Sequence, residues 1–166
     1  SDLREMPLKS AIENLKDYPV KAILSDGFLG IKDSFDLAII AGMGAHLIID
    51  ILKHAPTEDV TYIIQPNDRH TYLRQHLTQM GFCIHDEFIV HDRFYYLVLM
   101  IKRGNCILNE EDLILGPKLK EKKEAIPYYQ HLLKRLDKIK AQANEKWLKE
   151  LANDYEILSN HLKRWP

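Results

Sequence analysis

The alternation of apolar and polar positions divides the first part of the chain into short helices and strands. Apolar residues recur at helical spacing over residues 8–15, and Pro7 occupies the first turn, where its missing N–H costs no hydrogen bond. Residues 20–24 are predicted to form a strand that ends at Ser25-Asp26-Gly27. Residues 35–41 are almost entirely apolar, as expected of a strand buried on both faces of a parallel sheet.

The same alternation continues along the chain. A helix is predicted over residues 46–54, a strand over 60–64 and a helix over 68–80, which ends at Gly81. Strands that alternate with helices favour a parallel α/β sheet.

Two further strands differ from this pattern. Residues 82–90 and 94–101 are separated by only three residues, too few for a helical crossover, so they are predicted to pair as an antiparallel hairpin. The predicted sheet therefore has three parallel strands followed by a hairpin.

The C-terminal third is predicted to be helical. Residues 104–117 have the pattern of a loop, with Gly116-Pro117 as its clearest helix breaker. Two amphipathic helices follow, and the polar stretch 141–145 is the expected turn of an antiparallel, coiled-coil-like hairpin. Their apolar positions are Tyr128, Leu132, Leu133, Leu136 and Ile139, then Trp147, Leu148, Leu151, Tyr155, Leu158 and Leu162. We predict a domain over 1–103, a linker over 104–117 and a helical hairpin over 118–166.

Composition excludes several classes of protein. The longest apolar stretches are strand-sized, so we expect no membrane span, and the N-terminus lacks the layout of a signal peptide, which favours the cytoplasm. Cys83 and Cys106 are far apart and lack the spacing of zinc ligands, so neither a disulfide framework nor a metal site is predicted. The net charge is −1, with 11 Lys and Arg against 14 Asp and Glu over residues 1–103 and 12 against 10 over 104–166. This balance permits an anionic partner such as RNA without requiring one.

Candidate binding residues lie where the predicted strands end, because ligands of open α/β sheets bind beyond the carboxyl ends of the strands. Gly42 and Gly44 allow close approach of a ligand to the backbone, although by themselves they are better explained by a tight strand-to-helix turn without a ligand. Asp26 has the chemistry to bind an adenine amine or to stabilise a turn before Gly27.

Other polar and aromatic residues have two explanations each. The two amides of Gln65-Pro66-Asn67 suit a base edge or a capped turn, and Tyr95 suits base stacking or core packing. A basic cluster in the helical hairpin that includes Lys134, Arg135 and Lys138 suits phosphate binding or a solvated helix face.

In combination, these segments resemble the bacterial tRNA adenine-22 N1-methyltransferase family. The matching segments are Pro7-Leu8-Lys9-Ser10-Ala11, Ser25-Asp26-Gly27, Ile39-Ile40-Ala41-Gly42-Met43-Gly44, Ile63-Ile64-Gln65-Pro66-Asn67 with Leu73-Arg74, Tyr95-Tyr96 and Leu115-Gly116-Pro117. The resemblance covers about residues 2–123 by motif and the remainder by architecture only.

The resemblance implies a Rossmann-like, S-adenosylmethionine-dependent methyltransferase with a C-terminal coiled coil, acting on tRNA. It implies that Asp2 holds the cofactor ribose, that Asp26 and Gly27 lie near its adenine, and that the segment Ala41, Gly42, Met43 and Gly44 lies near its methionine end. Gln65, Pro66 and Asn67 are implied to shape the pocket for the target base. No catalytic base is assigned.

The sequence departs from the family pattern in three respects. Ala45 stands where the family usually has a third glycine, and Tyr96 stands where it has a glutamate. The first strand of the family and its glycine-rich loop are expected before Ser1, so we interpret the chain as the later part of a longer domain, which puts its activity in isolation in doubt.

Two other functions stay open: a non-catalytic RNA-binding module on a methyltransferase-like scaffold, and a methyltransferase with another substrate.

Overall fold

The computed structural model describes residues 1–141 and 145–165. The core of the predicted turn between the last two helices, residues 142–144, lies outside the described residues, and so does the side chain of Trp147. Among the helices that the structure describes, none combines the length and the apolar character needed to span a membrane.

Four strands form one mixed sheet in the order β1-β2-β4-β3. They are β1 (Leu37–Met43), β2 (Thr61–Pro66), β3 (Phe82–His91) and β4 (Tyr95–Arg103). β1 and β2 are parallel, whereas β4 is antiparallel to both β2 and β3. The predicted parallel pair and the predicted hairpin are therefore confirmed.

The predicted strand over residues 20–24 is wrong. The structure has only an isolated parallel bridge there, between Asp2 and Leu24. Two hydrogen bonds form it, from the Asp2 N–H to the Ile23 carbonyl (3.3 Å) and from the Ser25 N–H to the Asp2 carbonyl (2.9 Å). Asp2 alone pairs with this segment, so no continuous ladder of hydrogen bonds forms and residues 20–24 are not a strand.

Three helices accompany the sheet: α1 (Glu5–Asn14), α2 (Ala45–Leu52) and α3 (His70–Gln79). Each was predicted within a few residues of its observed ends. α2 and α3 bury apolar residues at helical spacing, including Ala45, Ile48 and Leu73, in the same core as the inner sheet residues. α1 buries no residue.

The predicted loop over residues 104–117 contains a helix, α4 (Glu110–Leu115), so the loop prediction is wrong in this part. Asn109 accepts a hydrogen bond from the Asp112 N–H (2.8 Å), and the Asp112 carboxylate accepts one from the Asn109 N–H (3.1 Å). This reciprocal capping box starts the helix. After two single 3₁₀ turns, the chain forms α5 (Ile126–Lys140) and α6 (Glu145–Lys163), as predicted.

A buried ion pair joins α3, β3 and the segment that follows α4. The Nε of Arg74 donates to Oε1 of Glu87 over 2.8 Å, and both side chains are almost completely buried. Arg74 also donates to the Leu113 carbonyl, and Glu87 Oε2 accepts from the backbone N–H groups of Lys118 and Leu119. We call this set of contacts the interior joint. It fixes the path of the chain that leads from the sheet to α5.

The prediction that the cysteines are unpaired is also wrong, because the structure joins Cys83 to Cys106 in a disulfide, with their Cα atoms 5.5 Å apart. The hairpin accounts for this proximity. Phe82 pairs with Arg103, so the start of β3 lies beside the chain that leaves β4, although the cysteines are 23 residues apart in sequence.

Candidate cofactor and substrate site

A cavity of about 740 Å³ lies beside β1 and the segment after Leu24. Five of the predicted cofactor residues line it, namely Asp2, Asp26, Gly27, Ala41 and Met43. Most of the remaining wall is apolar and comes from β1 and α2. A cavity of this size, with a few polar groups in apolar walls, has the general form of a small-molecule site.

The turn that carries Asp26 is shaped by a buried serine. The Ser25 hydroxyl accepts a hydrogen bond from the Gly30 N–H (2.8 Å) and donates one to the Gly27 carbonyl (3.0 Å). Gly27 has a φ of +53°, and a Cβ at this position would lie 3.1 Å from Cγ2 of Ile51. Both the backbone conformation and the close approach of α2 therefore favour glycine.

The two carboxylates of the cavity come from adjacent chain segments. Asp2 pairs with Leu24 through the isolated bridge, and Asp26 follows two residues later. Oδ1 of Asp2 accepts a hydrogen bond from the Arg4 N–H over 2.8 Å, which orients this carboxylate. The bridge therefore brings together two acidic residues that are 24 positions apart in sequence.

The structure does not place Gly42 and Gly44 on the cavity wall. Gly42 has a φ of +75° and its N–H donates to Oε1 of Gln65 over 2.9 Å. Gly44 precedes α2 and lies beside Asp68, whose Oδ1 accepts from the Ala45 N–H at 2.9 Å. Ala45 is completely buried, so its methyl group packs in the core and does not narrow the cavity.

The amides after β2 hold two strand ends together. Nε2 of Gln65 donates to the Pro66 carbonyl (2.9 Å) and to Oδ1 of Asn67 (3.2 Å), and the Asn67 N–H donates to the Met43 carbonyl (2.9 Å). Of these three residues, Asn67 is exposed, Gln65 is half-buried and Pro66 is buried.

Tyr95 belongs to a layer of aromatic rings between the sheet and α5. Its ring centroid lies 4.3 Å from that of His91, 5.8 Å from that of Tyr128 and 5.2 Å from that of His131. The Tyr128 hydroxyl lies 3.0 Å from Nδ1 of His70, three residues after Asn67. This layer connects the end of β2 with α5.

His70 lies near the exposed end of β2, and sequence reasoning considered this histidine without assigning it to the site. Burial, and then the nearby positive charge of Arg74, lower the pKa of the His70 imidazole from 6.5 to about 4. The side chain is therefore neutral at physiological pH, and its ring contributes a hydrogen bond without a charge. The only sequence signal is its position just after Gln65-Pro66-Asn67.

The three predicted basic residues Lys134, Arg135 and Lys138 lie exposed on α5. Burial raises the pKa of the Tyr128 hydroxyl, and the charges of Arg74 and Arg135 only partly oppose this shift, so Arg135 lies near the aromatic layer. None of the three lines the cavity. The structure thus separates the predicted residues into a group at the cavity and a group near the aromatic layer.

A mixed four-stranded α/β sheet followed by C-terminal helices, with a cavity beside β1 that contains two carboxylates, is an architecture of the Rossmann-like class. The sequence pattern of one family, tRNA (adenine(22)-N(1))-methyltransferase (TrmK), matches residues 1–164. The chain belongs to this family, as the motifs predicted.

Known relatives agree with this assignment. A candidate tRNA methyltransferase of Mycoplasma genitalium, MG248, is 31% identical over 144 residues, which are 81% of this chain and 66% of the relative. The crystal structure of Streptococcus pneumoniae Sp1610, a candidate tRNA (m1A22) methyltransferase, superposes with a TM-score of 0.84 at 28% identity and covers 96% of this chain and 79% of that one. The chain thus spans slightly less than two thirds of MG248.

A third relative shows the same fold. TrmK of M. capricolum, solved in complex with S-adenosylhomocysteine, superposes with a TM-score of 0.81 at 24% identity, covering 98% of this chain and 78% of that one. The Rossmann-like fold predicted for the sheet domain is thereby confirmed, with a mixed four-stranded sheet followed by C-terminal helices.

Proposed function

We propose that this protein transfers a methyl group from S-adenosylmethionine to N1 of adenine 22 in tRNA, in the cytoplasm. The observation that carries the proposal is the cavity in which Asp2, Asp26 and Gly27 meet Ala41 and Met43 at the end of β1. Family membership supports the reaction type and the substrate.

The residues of the cavity fit S-adenosylmethionine. The Asp2 carboxylate is oriented to accept hydrogen bonds from the ribose hydroxyls, and Asp26 has the chemistry to accept one from the adenine amine. Gly27, with its αL backbone, packs closely on Ile51, and both residues line the cavity beside Asp26. Ala41 and Met43 continue the cavity wall from the proposed adenine position toward the ends of β1 and β2. The bound cofactor supplies an electrophilic methyl group on a sulfonium sulfur. M. capricolum TrmK was solved with the demethylated form of this cofactor.

The target adenine is proposed to enter at the ends of β1 and β2. Gln65 holds Gly42 and Asn67 in place, so the exposed Asn67 amide is positioned toward a base edge. N1 is engaged in or near base pairing, so the reaction requires an exposed base held in line with the methyl group, which is chiefly a positioning problem. Tyr95 and Pro66 are the proposed neighbours of the base plane, and a general base is not assigned.

The helices α5 and α6 are proposed to form a coiled-coil hairpin, residues 118–166, that assists tRNA binding. The Nζ of Lys140 lies 3.9 Å from the ring centroid of Tyr155, and the rings of Tyr129 and His161 are 4.9 Å apart, as expected for an antiparallel pair. Residues 1–103 are the proposed methyltransferase part and residues 104–117 the connection between them. Lys134, Arg135 and Lys138 are the proposed phosphate ligands.

Calorimetric titration of the full-length protein with S-adenosylmethionine tests the enzymatic function. We expect saturable binding, and we expect Asp26→Ala to weaken it at least tenfold because the adenine amine loses its acceptor. Asp17→Ala is the matched control, because Asp17 is exposed and does not line the cavity. Absence of binding by the unsubstituted protein would favour a non-catalytic RNA-binding module instead.

A further inference from the structure

The tip of the β3–β4 hairpin lies at the same edge of the sheet as the proposed target pocket. β4 runs antiparallel to β2, with Ile64 opposite Leu99. Continuing this register toward the C-terminus of β2 leads along β4 toward Tyr95 at its start. The pair His91 and Tyr95 closes the hairpin. The turn between β3 and β4 therefore projects beyond the end of β2, where Asn67 is exposed.

Three rings near this tip, those of His91, Phe94 and His131, are exposed, and Tyr95, which packs partly against the core, lies beside them. Tyr95 lies between the rings of His91 and His131, at centroid distances of 4.3 and 5.2 Å, and both histidines are exposed. Phe94, next to Tyr95 in the turn, has 67% of its surface exposed. Aromatic side chains of this size are normally buried in a core, so an exposed group of them marks a contact surface.

The surroundings of these rings are basic. Arg93 in the turn and Lys134, Arg135 and Lys138 on α5 are exposed. Along α5, Arg135 and Lys138 follow His131 by four and seven residues, which places all three on one side of the helix. Among the residues that the structure describes, none of these four cations forms a salt bridge with a carboxylate. Asp137 on the same helix is engaged by Tyr155.

We propose that His91, Phe94, Tyr95 and His131 form a stacking surface for an unpaired tRNA nucleotide that neighbours the target adenine. Aromatic faces bind bases without regard to sequence, and adjacent cations bind the phosphates that link those bases. This combination favours single-stranded RNA over a protein partner, whose apolar side chains would not be matched by unpaired cations. The proposal rests on the proposed function, because it extends the same site away from the cofactor.

The stacking surface is built from two elements, the β3–β4 hairpin and α5. His91 belongs to the hairpin and His131 to α5, so a base that stacks on these exposed rings beside Tyr95 is contacted by both elements. The interior joint and the contact between Tyr128 and His70 hold α5 in this position. The stacking surface is therefore preformed, which reduces the entropy that binding costs.

The test compares tRNA binding by full-length variants with a tRNA transcript that contains adenine 22. His131→Ala and Phe94→Ala are each expected to raise the Kd for tRNA by about fivefold or more, because a base loses a stacking partner. His131→Phe is expected to bind tRNA as tightly as the unsubstituted protein does, because phenylalanine keeps an aromatic ring at this position and lacks only the imidazole nitrogens. His85→Ala is the matched control, an exposed histidine of β3 that contacts none of these rings.

Two further measurements separate this surface from the cofactor site. The S-adenosylmethionine affinity and the free energy of unfolding of each variant are expected to equal those of the unsubstituted protein. Unchanged tRNA affinity in both alanine variants would overturn the stacking surface, and so would a failure of His131→Phe to restore it. Failure of the unsubstituted protein to bind S-adenosylmethionine would reject the proposed function instead, while the tRNA comparison would still decide on the surface.

Discussion

The two sides of the site are built in different ways. On the substrate side, the interior joint buries Arg74 and Glu87 and engages the backbone of the segment before α5. On the cofactor side, Ile39 of β1 is 68% exposed, Leu37 is 51% exposed, and α1 buries no residue. The substrate side is thus stabilised by buried polar contacts between elements, whereas the cofactor side presents apolar residues of β1 to the cavity.

The interior joint provides the strongest test of this contrast. Arg74→Ala is expected to lower the free energy of unfolding by about 3–5 kcal/mol, because it leaves the Glu87 carboxylate buried without its charge partner. Lys53→Ala is the matched control, since its ion pair with Asp50 is exposed and screened by solvent, so its loss should lower the free energy of unfolding far less. Urea denaturation measures both, and equal effects would contradict the assigned role of the joint.

The basic face of α5 is expected to show the next largest effect. Combined reversal of Lys134, Arg135 and Lys138 to glutamate should weaken tRNA binding by about tenfold or more and reduce the slope of log K against log salt by roughly 2–3, because phosphate contacts are lost. Filter binding across a salt series measures both quantities. The control is charge reversal of Lys9, Lys16 and Lys21, which lie in or near α1 and are far from α5 in sequence. Unchanged affinity would limit α5 to a structural role.

His70 makes the substrate side sensitive to pH. The unfolded imidazole titrates near 6.5, whereas burial lowers the pKa of the folded one to about 4. Acid therefore protonates the unfolded chain first, so the contribution of His70 to stability is complete above pH 6.5 and is lost as the pH falls toward 4. The loss is on the order of 1–3 kcal/mol.

Urea denaturation at several pH values tests this expectation. His70→Gln, which cannot titrate, is expected to flatten the pH dependence between pH 6.5 and 4. His85→Gln is the control, because His85 is exposed and its substitution should leave the curve unchanged. A curve for His70→Gln that parallels the unsubstituted protein would contradict the buried, neutral state.

Gly27 tests the cofactor side with the smallest expected effect. Gly27→Ala introduces a Cβ 3.1 Å from Ile51 at a φ of +53°, with a cost of about 1 kcal/mol in backbone strain. Because the residue lines the cavity, the affinity for S-adenosylmethionine should fall as well. Gly81→Ala has a similar strain at a φ of +73° but lies outside the cavity, so its cofactor affinity should be unchanged. Equal cofactor affinities in the two variants would show that Gly27 does not contribute to the cofactor site.

The sequence predicts much of the fold because its signals are local. Hydrophobic periodicity identified α2, α3 and both strands of the hairpin. The same reasoning missed α4, although Asn109 and Asp112 have the spacing of a capping box and supplied the signal. Residues 20–24 have a strand-like pattern, but their pairing depends on the neighbour that is available, which a local pattern does not contain.

Contacts between distant segments were the least predictable part of the site. The ion pair of Arg74 and Glu87, the disulfide of Cys83 and Cys106, and the contact of His70 with Tyr128 each join separate elements. No spacing rule relates such partners, because the path of the chain in three dimensions brings them together. Resemblance to a family supplied the candidate ligand residues, whereas only the structure separated those that line the cavity from Gly42, which contacts Gln65 of β2, and Gly44, which lies beside Asp68.

Methylation of a tRNA transcript tests the central claim most directly. The full-length protein, S-adenosylmethionine with a labelled methyl group and a transcript containing adenine 22 should yield 1-methyladenine at that position. A transcript with guanine in place of adenine 22 should accept no methyl group, and Asp26→Ala should slow the reaction on the original transcript. Methyl transfer that persists after replacement of adenine 22, or no transfer to either transcript, would contradict the proposed function.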